Sequence, residues 1–143
     1  MTALDDKTTH YVIYDTDGRI RQHGNCAESV LPRFAMLFGR GYSAMAVTAG
    51  QYRFDIDATS YVLDGVITPK GVALNVTEYT VQANGVDAVH FSVPAGTSVI
   101  HAGDIIPIED NIFEFATDVL GDHPFSFIAP AAFYHFEVTI HAV

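Results

Sequence analysis

Short runs of β-branched and aromatic residues, closed by Asp-Gly or Asn-Gly, restrict this chain to hairpin architecture. The dipeptides are Asp17-Gly18, Asp64-Gly65 and Asn84-Gly85. Each accepts the positive φ of a tight turn, and this is the strongest short-range hairpin signal. Tyr11-Val12-Ile13-Tyr14 precedes the first, and Arg19-Ile20-Arg21-Gln22-His23 follows it as a return strand that Gly24-Asn25 closes. Tyr61-Val62-Leu63 and Val66-Ile67-Thr68 flank the second.

One helix is predicted, over 30–38, with Ser29 as its cap, Pro32 in its first turn and Gly39 as its stop. Strands are predicted over 42–48 and over 51–57, where Tyr52, Phe54 and Ile56 alternate with polar residues. Beyond residue 70, strands are expected near 72–82, 87–93, 97–102, 111–118, 123–129 and 133–142. Asn84-Gly85, Pro94-Ala95-Gly96, Glu109-Asp110-Asn111 and Gly121-Asp122 separate them. Short strands at this spacing indicate a β-sandwich. Residues 1–9 are polar and read as a disordered tail without the apolar core of a secretory signal.

Charge divides the chain at the same place as the strand pattern. All seven basic residues lie at or before Lys70, so residues 1–70 carry eight acids against seven bases, a net −1. From Gly71 onward nine acids and no Lys or Arg give −9. Thr68-Pro69-Lys70-Gly71 is therefore the expected boundary between an N-terminal hairpin domain, 10–70, and an acidic sandwich, 71–143. A surface without fixed positive charge neither neutralises phosphates nor adheres to anionic lipid, so no nucleic acid and no membrane is expected as partner. Cys26 stands alone, which excludes an internal disulfide and a thiolate metal cluster.

Candidate chemical groups are few. His135, Glu137 and His141 share one face of the last strand, opposite Tyr134, Phe136, Val138 and Ile140. His135 and His141 are about 20 Å apart on an extended strand, too far to share an ion. His135 and Glu137 need help from His90, His101 or His123. Asp55 and Asp57 share a face of the predicted 51–57 strand, without an EF-hand loop. Glu109, Asp110, Asp118 and Asp122 read as loop acids. Each set is taken as solvated surface. The chain has no Gly-x-Ser-x-Gly, phosphate-cradling loop or His-Glu-x-x-His. No catalytic, cofactor-binding or metal-ligating residue is assigned, no cofactor is expected, and a non-enzymatic role is expected.

Two stretches carry a family likeness. Tyr11 to Cys26, with its Asp15-Thr16-Asp17-Gly18-Arg19-Ile20 turn, and Tyr61-Val62-Leu63-Asp64-Gly65-Val66-Ile67 resemble the opening of small tailed-bacteriophage virion proteins. Ala83-Asn84-Gly85-Val86-Asp87 and Pro94-Ala95-Gly96 resemble their Ig-like second half. The resemblance implies a mainly β protein, hairpin-rich with one short helix and ending in an Ig-like antiparallel β-sandwich. It implies a virion structural role in the tail, tail-tip or fibre region: the first half docks and the acidic half projects. Localisation to the virion and other virion proteins as partners follow, and homo-oligomerisation is expected because isolated hairpins are marginal and sheet edges stand open. A capsid decoration protein is the alternative of the same class. A carbohydrate-binding module, taking a host-surface glycan through Tyr79, Phe91, Phe125 and Tyr134, is the alternative of another class.

Overall fold

The computed structural model describes residues 7–143. The chain forms two compact units, Met1–Lys70 and Gly71–Val143. The break falls where basic residues end.

The first unit is built on a three-stranded antiparallel sheet of order β2-β1-β3: β1 (Thr8–Tyr14), β2 (Ile20–Ala27) and β3 (Ser43–Val47). Of the expected tail over 1–9, residues 1–6 lie outside the described residues, whereas Thr8 and Thr9 open β1, paired with Ala27 and Cys26. The return strand therefore runs through Gly24-Asn25, where a closing turn was expected. Tyr11, Val12 and Ile13 are all buried. An alternating strand with one wet face cannot do this, but a central strand covered on both faces does. Helix α1 (Leu31–Phe38) lies on one side, where Phe34 meets the Tyr11 ring edge-on at 5.0 Å. On the other, Val12 packs with Ile20, Val47, Ile56 and Val62. Each fully buried aliphatic side chain contributes about 1.5–3 kcal/mol.

Hairpin β4 (Ser60–Leu63) and β5 (Val66–Pro69) turns through Asp64 and Gly65, both at positive φ, as the sequence predicts. The first turn does more than reverse the chain. Gly18, at φ +83°, accepts the Val62 N–H at 2.8 Å, and a Cβ there would stand 2.0 Å from the Val62 carbonyl oxygen. Only glycine lets β4 approach this closely.

Two expectations for this unit fail. Ser29 does not cap α1. It sits in a 3-10 turn, Glu28–Val30, and Val30 precedes the helix without a side-chain cap. Residues 51–57 form turns leading into α2 (Ile56–Thr59), not a strand. β1 already has neighbours on both edges, and the alternation is broken by Phe54, which is 86% exposed while Ile56 is buried.

The second unit contains β6 (Glu78–Val81), β7 (Ala88–Ser92), β8 (Ser98–His101), β9 (Asp104–Pro107), β10 (Ile112–Ala116), β11 (Gly121–Ile128) and β12 (Phe136–Ala142). They form a five-stranded sheet, β6-β12-β11-β8-β9, and a two-stranded sheet, β10-β7. Val89, Phe91 and Phe113 from the smaller sheet share one core with Val99, Phe125, Phe127, Val138 and Ile140 from the larger, which makes the unit a β-sandwich. The second and fifth strands pair in one sheet, while the first, third, fourth, sixth and seventh lie in the other. The two sheets meet where Phe91 of β7 packs edge-to-face on Phe127 of β11 at 5.7 Å. Phe127 also stacks on Phe136 at 4.6 Å.

Three details differ from expectation. β6 pairs with β12 in parallel, against the wholly antiparallel expectation. The 72–82 run is a strand only from Glu78, and β12 starts at Phe136, not 133. β9 was not predicted: its turn places Ala102 at φ +51° before Gly103, and alanine carries no turn signature.

Candidate functional site

The histidines of the second unit do not converge. His135 precedes β12, and its Nδ1 accepts the Ala129 N–H at 3.0 Å. Glu137 accepts a hydrogen bond from the Ser126 hydroxyl at 3.5 Å. His90 lies 3.3 Å from Glu114. His101 stacks on Phe125 with ring centroids 4.9 Å apart. His123 Nε2 is 2.9 Å from the Val119 carbonyl. Among the described residues no group of three or more His, Cys, Asp or Glu is placed to hold a metal ion. No helix among them is long and apolar enough to cross a membrane.

His141 behaves differently. Its Nδ1 lies 2.6 Å from Asp122 Oδ1 and its Nε2 3.1 Å from Glu78 Oε1. With a carboxylate at each ring nitrogen the imidazole serves as donor twice, which is the protonated form. Its pKa is accordingly raised from the ordinary 6.5, first by the bond to Asp122 and then by that to Glu78. Asp122, expected in a loop, lies on β11 directly opposite His141, and Glu78 lies on β6. The cluster ties the parallel edge strand β6 to β12 and, through Asp122, β12 to β11. A shallow depression of about 640 Å³ on the same face is lined by Leu74, Thr77, Glu78 and Glu137.

A groove of about 590 Å³ opens where the smaller sheet fails to cover the larger. Ile106, Ile108, Phe113 and Phe115 form its walls, with Glu109, Asp110 and Glu114 at its rim. Of the four aromatics considered for a glycan, Phe91 and Phe125 are core, Tyr79 stacks on Phe91 at 5.3 Å, and Tyr134 is exposed.

In the first unit Asp57 Oδ1 lies 3.4 Å from His23 Nε2, and His23 Nδ1 lies 2.8 Å from the Tyr52 hydroxyl. His10 stacks on Tyr52 at 4.2 Å, and its buried Nδ1 has no hydrogen-bond partner among the described residues. This row fastens the 51–57 segment to β1 and β2. It separates Asp55 and Asp57 in role: Asp57 meets His23, while Asp55 carries α2, its carbonyl accepting the Thr59 N–H at 3.1 Å. Lys70 has its pKa lowered by burial and by Arg19, with Asp57 opposing.

The same unit exposes an apolar patch at the end of α1. Met36 is 77% and Leu37 80% exposed, and Phe38 leans on Tyr42 at 5.4 Å. The sequence held a signal for it. Leu31, Phe34 and Ala35 form the inward stripe of the helix, and Met36 and Leu37 fall off it. The groove and the His141 cluster had no such local signal, because their residues meet only through strand order.

Compared with models of protein families, with curated proteins and with solved structures, this chain matches none.

Proposed function

We propose that this chain is a non-enzymatic virion structural protein of a tailed bacteriophage, of the tail, tail-tip or fibre region. Its first unit docks onto the particle and its acidic sandwich is presented outward. The observation that carries the reading is the exposed Met36–Leu37 pair at the end of α1, on a unit of nearly balanced charge. With Phe38 beside them these are three consecutive large apolar side chains exposed at one helix end, and contiguous apolar surface of that kind supports an interaction role. The net −9 of the second unit supports the outward role, because like charge keeps neighbouring copies apart. The phage assignment itself draws on the resemblance of Tyr11–Cys26 and Tyr61–Ile67 to virion proteins.

Mass spectrometry of purified particles tests it. The chain is expected in the particle, and Met36→Glu with Leu37→Glu is expected to abolish its incorporation while leaving the free protein folded. Absence of the chain from particles, or unchanged incorporation of the variant, overturns the reading. Copy number then separates the two virion locations: a count matching the shell subunits indicates capsid decoration, and one matching a tail ring or fibre indicates the tail.

A further inference from the structure

The second unit has five strands in one sheet and two in the other. The larger sheet therefore overhangs the smaller, and the groove lies under the overhang. Ile106 pairs with the buried Val99 across β8 and β9, so it faces the core side, yet it remains 47% exposed. A strand placed beside β10 would cover it.

The two strand edges bounding this gap differ in their backbone. In β8–β9 the Ile108 N–H donates to Thr97, which sets the alternation and turns the main-chain groups of Ile105 and Pro107 away from β8. Pro107 has no N–H to offer, so the β9 edge is blunted. In β7–β10 the Val93 N–H donates to Asn111, which turns the main-chain groups of Ile112, Glu114 and Ala116 away from β7. The Ile112 N–H is taken by Asp110 Oδ1 at 3.2 Å, consistent with that direction. Glu114 and Ala116 keep N–H and C=O groups on an edge without a strand partner among the described residues.

The charge around this edge has one sign. Glu109, Asp110 and Glu114 rim the groove, and Gly71–Val143 contains no Lys or Arg to neutralise them. A second sandwich would bring the same acids. Strand β2 of another copy, Ile20–Ala27, carries one arginine and one large aliphatic side chain, so it lacks the alternation of apolar and basic residues that the groove and its rim call for.

We infer that the β10 edge accepts a strand from a basic partner polypeptide. That strand alternates apolar side chains, which fill the groove over Ile106 and Phe115, with lysine or arginine facing Glu114 and the rim acids. Main-chain pairing along the edge supplies affinity, and the groove and the acids supply selectivity. The inference is independent of the phage reading, since it concerns only the second unit.

The probe is a short synthetic peptide alternating valine with lysine, titrated into the full chain and followed by amide chemical shifts. Its controls are a peptide of equal charge with proline at alternate positions and one with glutamate in place of lysine. The expected result is saturable binding with the largest shifts and new exchange protection at Glu114 and Ala116. Affinity is expected to fall ~10-fold or more for Glu114→Lys and for Ile106→Asp, as for loss of a complementary charge or an apolar anchor. Glu114 is 68% exposed, so its variant keeps the fold. Equal binding of the proline peptide shows charge attraction alone and overturns the inference. So does an absence of shifts at β10, a site elsewhere, or self-association of the chain through β10 that excludes the peptide.

Discussion

The two units solve the same problem, covering a sheet, from opposite directions. In the first, a three-stranded sheet is covered on both faces, so its central strand buries Tyr11, Val12 and Ile13 in succession, and surplus apolar surface appears outside, on α1. In the second, a five-stranded sheet is covered on one face by only two strands, so the surplus appears as a gap in the core. The first core is mostly aliphatic, and the second is a set of interlocking phenylalanine rings. Charge follows the same division, mixed in one unit and wholly acidic in the other. Exposed apolar area thus gathers at the end of α1 in the first unit, and in the second at the groove beside β10 and at Val119–Leu120.

The largest effect that would break this contrast comes from Phe127→Ala. Phe127 is 1% exposed and touches Phe91, Phe113 and Phe136. Its truncation is expected to cost about 3–5 kcal/mol. Hydrogen exchange should show the loss within 71–143 while β1 amides keep their protection; uniform loss across both units would mean that the cores are not separate. Gly18→Ala acts on the other unit. Left-handed strain alone costs about 1–3 kcal/mol, and the new Cβ also pushes on the Val62 carbonyl. Denaturant unfolding should show the first unit destabilised, with β4 amides most affected.

A smaller effect is pH-dependent. The raised pKa of His141 means that its bonds to Asp122 and Glu78 stabilise the fold fully below the unfolded value of 6.5, while the acids are ionised, and are lost as pH rises through the folded pKa. Exchange protection at Tyr79 and Val81, whose N–H groups face β12, should fall over that rise, and His141→Asn should flatten the profile. An unchanged profile in the variant would remove His141 as the cause. The smallest effect is on stability of the Met36→Glu, Leu37→Glu pair, expected within about 0.5 kcal/mol, because neither side chain is buried. Substantial unfolding would show that the patch serves the unit's own core.

What could be read from the sequence was local. Asp64-Gly65 makes its hairpin because both residues tolerate positive φ, and Pro32 and Gly39 delimit α1 by the same kind of backbone restriction. The alternation of Val138, Ile140 and Ala142 gives the buried face of β12 directly. The errors arose where partners decide. The pattern at Tyr52, Phe54 and Ile56 is that of a strand, but Ile56 is drawn into the core beside Val12 while Phe54 is left in water, so the segment follows that packing into turns and α2. The parallel pairing of β6 with β12 joins residues some sixty positions apart, and no short-range signal encodes it. For the same reason His141 was visible as one member of a strand face but not as the bridge between Asp122 and Glu78.

Hydrogen exchange of the chain, free and within purified particles, shows which unit docks. Docking by the first unit gives new protection concentrated around Met36, Leu37 and Phe38, with Gly71–Val143 gaining none of it apart from any strand paired at β10. Protection spread over the outer faces of the acidic sandwich, with α1 exchanging as freely as in the isolated protein, would contradict it.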